Sequence, residues 1–383
     1  MRYYMIAGEA SGDLHGSNLI KALQQQDPDT SIRCWGGDLM QQAGGELVKH
    51  YRDLAFMGFI EVVSNLGTIL RNLRFCKEDI RQHQPDAIIL IDYPGFNLRI
   101  AEWAKQQGIK VIYYISPQVW AWKENRVKKM KQTIDKMLVI LPFEKDYYRN
   151  KWQWEVEYVG HPLVEVVDSF TDATIAEAAR PKARPRPKEH ETADKPVIAI
   201  LPGSRKQEIL KKLPIMLEVT RKFPEYEFVV AEAPGQEASF YKPLLRGYPN
   251  VSSVRGQTYE LLYHSSAAMV TSGTATLETA LFGVPEVVCY KGSNISYQIA
   301  KRLIKVKYIS LVNLIMDKLV VKELIQDDLT PRNIRAELNE LLNNEERKQQ
   351  VKQDYASLKQ LLGEGGHAST KAAVSIVNFL RKG

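Results

Sequence analysis

Two short stretches hold residue types from which a reaction can be built. Near the start, Gly8-Glu9-Ala10-Ser11-Gly12-Asp13-Leu14-His15-Gly16 places Glu9, Ser11, Asp13 and His15 directly after the apolar run Tyr3–Ala7. Farther on, Leu201-Pro202-Gly203-Ser204-Arg205 interrupts an apolar run ahead of helix-forming residues. A carboxylate or imidazole at the first place can move a proton. At the second, backbone amides freed by Gly203 and Ser204 can hold a phosphate, and Arg205 can grip two oxygens of a diphosphate with a planar fork that lysine lacks. Each stretch also has a plainer reading. Ser11 or Asp13 can serve only as a helix cap, and Arg205 can be a surface arginine after an ordinary strand-to-helix turn. The first loop lacks the G-x-G-x-x-G spacing, so a dinucleotide fingerprint is not supported.

Two further places extend the set. Pro85–Asp92, PDAIILID, is a continuous apolar run of the buried parallel-strand type, and it delivers Asp92 to the carboxyl end of its strand, ahead of a Tyr93-Pro94-Gly95 turn. Open α/β sheets bind ligands at that end. Asp92 is therefore a candidate general base, with simple capping of the next turn as the alternative. Ser272, Gly273 and Thr274 follow the apolar run Ala268–Thr271 and open a helix whose N-terminus favours a phosphate. Glu278 lies about one turn inward, where it can take two ribose hydroxyls, unless it serves only a capping box.

These residues need elements to position them, and the hydrophobic pattern repeats as strand, loop and helix. Strands are expected at Tyr3–Ala7, Ile32–Trp35, Pro85–Asp92, Lys110–Ser116, Met137–Leu141, Val197–Leu201, Tyr226–Ala231, near Val251, at Ala268–Thr271 and at Val287–Tyr290. A chain of 383 residues exceeds one ordinary core. From Thr171 to Pro196, Ala, Pro, Arg and Lys displace apolar residues, which predicts an exposed connection. The expected fold class is α/β, with two Rossmann-like domains facing across a cleft. They comprise residues 1–170 and 197–366, joined by a linker at 171–196, and a C-terminal helix at about 367–383 can pack back on the first domain.

Composition narrows the partner. Apolar and charged fractions of 44% and 25% are those of a soluble globular protein. Cys34, Cys76 and Cys289 are far apart, which suggests neither a disulfide framework nor a Cys-rich zinc site and fits a reducing cytoplasm. The first apolar run is too short for a signal peptide, and no stretch approaches the roughly 20 apolar residues that span a bilayer. A net charge of +7 implies a partner bearing negative charge: nucleic acid, a phosphorylated substrate or an anionic membrane surface.

Leu54–Phe75 crowds Met57, Phe59, Ile60, Val62, Val63, Leu66, Ile69, Leu70 and Leu73 beside Arg71 and Arg74. It reads either as a buried core helix or as a greasy surface that takes acyl chains while arginines meet phosphates. Trp120 and Trp122 precede an expected basic helix with Lys123, Arg126, Lys128, Lys129 and Lys131. That combination suits nucleic acid, anionic lipid or a plain solvated face. Asp27-Pro28-Asp29 is only superficially a metal-binding D-x-D, because it ends a polar helix, and no metal is expected.

Six segments in order resemble the lipid-A-disaccharide synthases: AGEASGD from Ala7, IDYPGFN from Ile91, SPQVWAW from Ser116, LPGSRKQEI from Leu201, SGTATLE from Ser272 and SLVNLI from Ser310. The resemblance implies an inverting glycosyltransferase of the GT-B type, which joins UDP-2,3-diacylglucosamine to 2,3-diacylglucosamine 1-phosphate and releases UDP. It implies no metal or other cofactor, no nucleic-acid partner, a homodimer, and peripheral association with the cytoplasmic face of the inner membrane. Inversion requires a base opposite the nucleotide, with Asp92 the leading candidate and Glu9, Asp13 and His15 as rivals. Gly203, Ser204, Arg205, Ser272, Gly273, Thr274, Glu278 and Asn313 form the expected nucleotide-binding set. Met57, Phe59, Val62, Val63, Leu66, Ile69, Leu70, Arg71 and Arg74 form the expected lipid-facing set. A UDP-sugar epimerase of the same architecture is the rival enzyme, and it would need neither an acceptor nor a greasy surface. Two positions depart from the family pattern, in which a second aspartate often stands at Gly95 and a proline at Val312.

Overall fold

A computed structural model describes residues 1–54, 66–178, 195–292, 307–364 and 366–382. The chain divides into two compact units, one formed by Met1–Pro162 with Leu362–Gly383 and the other by Leu163–Leu361. Each is built on a parallel sheet.

The first sheet contains β1 (Arg2–Ala7), β2 (Ser31–Gly36), β3 (Glu46–His50), β4 (Ala87–Ile91), β5 (Lys110–Tyr114), β6 (Lys136–Val139) and β7 (Glu157–Tyr158). Their order is β3-β2-β1-β4-β5-β6-β7. The apolar runs become central strands because helices cover both faces of a parallel sheet, so every residue of AIILI in β4 is buried. Tyr4, Ile6, Ile88, Leu90, Val111, Tyr113, Met137 and Val139 point to one face and join a core with Leu73, Cys76, Ile80, Ile100 and Val127 from the helices. Burying such side chains stabilises the fold by about 1.5–3 kcal/mol each. Helix Ala368–Arg381 lies along helix Ala10–Gln26, and Ser375 Oγ donates to Glu157 Oε2 at 2.7 Å.

The second sheet contains β8 (Val197–Leu201), β9 (Glu227–Glu232), β10 (Val251–Arg255), β11 (Ser265–Thr271), β12 (Glu286–Tyr290) and β13 (Lys322–Ile325). Their order is β10-β9-β8-β11-β12-β13. Ile198, Ile200, Met269 and Val287 pack with helices Lys206–Thr220 and Pro331–Asn343. Ala199, Val229, Ala268 and Val270 face the opposite side, with Leu261 and Leu262.

Both sheets reverse direction once, between β1 and β4 in the first and between β8 and β11 in the second. At such a switch point the connections leave toward opposite faces and open a crevice at the carboxyl ends of the two strands. The catalytic and phosphate-binding candidates lie at these crevices.

Two expectations are corrected. The connection expected to begin at 171 is helical as far as 178, because helix Pro162–Ala178 carries straight through it. The basic stretch after Trp122 is not one helix: a 3-10 turn, Glu124–Arg126, precedes helix Val127–Thr133, whose Val127 and Met130 are buried. Edge strands β3 and β13, ELVKH and KELI, were not anticipated, since their mixed polar composition lacks the continuous apolar signal. The helix expected at Tyr297–Ile304 lies outside the described residues.

Candidate active site

In the first unit Ala7 of β1 pairs with Ile91 of β4, so Gly8 and Asp92 emerge side by side at the switch point. Gly8 is required there: a Cβ at this position would come within 2.3 Å of the Tyr93 ring. Asp92 and Tyr93 both hold left-handed backbone, at φ 41 and 49. Two successive non-glycine residues in that region store strain and need outside support. Asn97 supplies part of it, donating from Nδ2 to the carbonyl of Asp92 at 2.8 Å and of Ile91 at 3.2 Å. The Tyr113 hydroxyl donates to the Asp92 carbonyl at 2.6 Å. The main chain is thereby clamped and the half-buried carboxylate is held at the strand end. Burial first, then the negative charge of Glu9, pushes the Asp92 carboxyl up to about 7, with the Tyr93 amide opposing. A carboxylate poised there can accept a proton near neutral pH. Glu9 is the N-cap residue of helix Ala10–Gln26 and makes no side-chain capping bond.

Asp13 and His15 have other employment. The Asp13 carboxylate is buried and accepts from the amides of Gly37 at 2.7 Å, Leu39 at 3.2 Å and Met40 at 3.0 Å. These are the orphan donors of helix Asp38–Gln42 and its approach. Asp13 thus fixes the loop after β2, and its candidacy as a base is corrected to capping, at a distance in sequence that local reading does not reach. His15 is buried, and burial lowers its imidazole to about 4. Nearby His161 is lowered to about 3 by burial and by His15. Burial thus favours the neutral form of both, and His15 is one of the buried residues of helix Ala10–Gln26.

Glu144 was missed by sequence reasoning. Its carboxylate is 1% exposed, accepts from Trp120 Nε1 at 3.1 Å and Leu141 N at 3.1 Å, and is raised to about 8 by burial, with the Asp92 charge adding. The PFEKD segment reads as an ordinary short helix; only Trp120, an indole that needs an acceptor, hinted at a partner.

In the second unit Leu201 pairs with Val270, so the turns after β8 and β11 also emerge together. Gly203 has φ 110, and a Cβ there would meet Glu208 Oε2 at 3.0 Å and Thr271 Cγ2 at 3.3 Å. The left-handed backbone is what calls for glycine here. Ser204 is exposed, and Arg205 is the N-cap residue of helix Lys206–Thr220, with its guanidinium 3.5 Å from Glu208 Oε1. Lys212, one turn farther in, is buried and 3.8 Å from Glu208 Oε2. Gly273 and Thr274 are exposed at the start of helix Thr274–Leu281. Ser272 Oγ donates to the carbonyl of Ile309 at 2.9 Å, and Tyr259 Oη donates to Glu278 Oε1 at 2.9 Å. Amides at two helix starts and one arginine therefore share a crevice suited to a diphosphate.

Asn313 stands apart from this set. Its Nδ2 donates to Val321 O at 2.8 Å and Glu323 Oε1 at 2.9 Å, while Oδ1 accepts from Val320 N at 2.8 Å and Val321 N at 2.9 Å. A carboxamide has two donors and two acceptor sites, and all four are used. The side chain of Asn313, expected in the nucleotide-binding set, pins the loop at Val320 and Val321. Glu323, also missed, accepts from the amides of Ile309 and Ser310 and so fixes the segment that receives Ser272.

Of the lipid-facing set, Met57, Phe59, Val62 and Val63 lie outside the described residues, and Leu66 begins helix Leu66–His83. Ile69 packs against the core. Leu70 is 56% exposed and Phe75 48%, with Arg71 and Arg74 exposed beside them. The described part is therefore an amphipathic helix, with Leu73, Cys76 and Ile80 inward. Among the described residues no helix is long and apolar enough to cross a membrane, and no cluster of three or more His, Cys, Asp or Glu can hold a metal.

A match to the family described as lipid-A-disaccharide synthetase covers residues 3–377. The chain belongs to that family. Among its relatives, the lipid-A-disaccharide synthase of Syntrophus aciditrophicus is 39% identical, over 99% of this chain and 97% of that protein. That of Geobacter metallireducens is 37% identical, over 100% and 98%. As a lipid-A-disaccharide synthase family member the chain is an enzyme, a glycosyltransferase of lipid A biosynthesis. Solved structures confirm the GT-B architecture. The UDP-GlcNAc 2-epimerase from Neisseria meningitidis superposes with a TM-score of 0.67 at 14% identity over all of both chains. A glycotransferase of kitacinnamycin gives 0.66 at 15%, covering 99% of each. Epimerase and transferase share the fold equally well, so family membership, and not architecture, separates the two enzymes. The two family departures fit their surroundings. Gly95 is exposed in the first turn of helix Pro94–Gln106, where an added Cβ meets nothing within 4 Å. Val312 is buried in the first turn of helix Leu311–Met316, which Ser310 caps.

Proposed function

We propose that this synthase transfers 2,3-diacylglucosamine from UDP to 2,3-diacylglucosamine 1-phosphate with inversion, that the first unit holds the acceptor lipid and the second the nucleotide, and that Asp92 is the base. The observation that carries the reading is the Asp92 carboxyl, held at a sheet switch point on a strained and clamped strand end and raised to about 7. In this scheme the acceptor O–H bond breaks as its proton passes to Asp92. The oxygen forms a bond to the anomeric carbon on the face opposite UDP, and the anomeric C–O bond breaks with its electron pair leaving on the diphosphate.

Glu9 keeps the Asp92 proton affinity high enough for this transfer. Departing charge is taken up by Arg205 and by the amides at Gly203, Ser204, Gly273 and Thr274, donors aimed where charge develops. Glu278, its other oxygen steadied through Tyr259, takes ribose hydroxyls. Exposed Leu70 and Phe75, which flank Arg71 and Arg74 in sequence, support peripheral docking on the cytoplasmic face of the inner membrane. A homodimer, as the family resemblance implies, completes the reading.

The deciding experiment supplies purified protein with UDP-2,3-diacylglucosamine and the acceptor lipid and separates the products. Disaccharide 1-phosphate and UDP in equal amounts are expected; epimerised sugar nucleotide without disaccharide would overturn the assignment.

A further inference from the structure

The Trp120 indole sits on a four-residue helix, Val119–Trp122, in the loop that leaves β5, next to the strand that delivers Asp92. Its ring is half-buried, and Phe143 meets it edge to face, at 5.0 Å and 89°. Its one polar atom donates to Glu144, whose second oxygen accepts from the Leu141 amide. Ser116, at the start of the same loop, is joined to Tyr148 at 2.7 Å. The loop is therefore tied at two points to the segment after β6, and Glu144 is the tie that fixes the rotation of the indole.

A helix start could be capped by Ser, Thr or Asn without burying a carboxyl group, and a side chain 1% exposed needs a stronger reason to be acidic. Trp120 supplies one, because Glu144 satisfies the indole N–H and the helix start together. Burial raises the Glu144 carboxyl, the Leu141, Trp120 and Ile140 donors oppose, and the Asp92 charge adds to the rise, which places Glu144 and Asp92 within electrostatic reach of each other.

We propose that Glu144 is a positioning residue that orients Trp120, and that the indole so held is the platform on which the pyranose ring of the acceptor lies beside Asp92. An indole face is apolar and flat, and it matches the C–H face of a pyranose while the hydroxyls of the ring point away to polar partners. The inference rests on the acceptor occupying the first unit and names a recognition surface within it.

The test measures kcat and the KM for donor and acceptor separately in W120L, W120F, E144L, E144Q and the double variant W120F/E144L. W120L is expected to raise the acceptor KM by about 10-fold, with the donor KM within about 2-fold of normal. E144L is expected to raise the acceptor KM by about as much in the wild-type background and by little in the W120F background, since the hydrogen bond it removes is already gone there. E144Q, which can still accept from the indole, should recover most of the loss.

Equal effects of E144L in both backgrounds would overturn the proposal and leave Glu144 as a cap for its own helix. An unchanged acceptor KM in W120L would overturn the platform. Should E144L fail to fold, as followed by thermal unfolding, E144Q and W120L still decide. Failure of the functional reading is separate: it would appear as wild-type protein that forms no disaccharide.

Discussion

The two switch points do opposite things with the same geometry. At β1 and β4 the strand ends carry acidic residues, and the turn is closed: Tyr93 lies over Gly8, Asn97 and Tyr113 clamp the Asp92 carbonyl, and burial holds the carboxyl near 7. At β8 and β11 the strand ends carry Gly, Ser and Thr, and Ser204, Arg205, Gly273 and Thr274 are exposed. A proton acceptor gains its strength from a low-dielectric setting, whereas a phosphate site needs donors that reach toward solvent. Crevice shape is common to both; what differs is whether the sequence fills the crevice or leaves it open.

Four experiments would break or sharpen that contrast. Asp92→Asn should lower kcat by about 10² to 10⁴ while UDP affinity, measured calorimetrically, stays near normal; turnover close to wild type would move the base to another residue. Arg205→Ala should weaken UDP binding and slow the chemical step together, each by about 10- to 100-fold; unchanged UDP affinity would make Arg205 a surface residue. The pH profile sharpens the same division. Because Asp92 must be deprotonated to act and its carboxyl sits at about 7, kcat/KM should fall as pH drops through 7, approaching about tenfold per unit below it. Asp92→Asn should abolish that limb and Arg205→Ala should leave it in place. The smallest effect belongs to the surface: Leu70→Ser with Phe75→Ser should reduce binding to anionic vesicles by a few-fold, on the order of 1 kcal/mol, with thermal stability retained, since both side chains are half-exposed. Loss of the fold would show that the helix is held by these residues.

Much of this was legible in the sequence, and the parts that were not share a cause. AIILI and VIAIL announce central strands because both faces are buried, and the last residue of such a run must emerge at the ligand-binding end; Asp92 and Gly203 follow from that alone. Glu9 and Asp13 lie four residues apart and read alike. The difference between them is long-range, since Asp13 is taken by amides beyond position 36 that no local pattern connects to it. Glu144 and Glu323 were hidden for the same reason: each is an acidic residue of ordinary appearance with a partner in another loop, Trp120 for the first and Ile309 for the second. Asn313 shows the reverse case, a motif residue whose side-chain bonds are all internal. A motif residue suggests a ligand, but a buried carboxamide with every hydrogen-bonding position filled holds the protein to itself. Half-polar edge strands β3 and β13 escaped because only one side of each needs to be apolar.

The first unit is assembled from both ends of the chain, with helix Ala368–Arg381 laid against helix Ala10–Gln26. A ribosome delivers the early helix long before its neighbour, so the second unit, Leu163–Leu361, is made in full while the first still waits with an uncovered flank. The loop bearing Glu9 stands at the head of that waiting helix. The last stretch of chain to be made is therefore the one that covers this flank, and the first unit cannot close before synthesis ends.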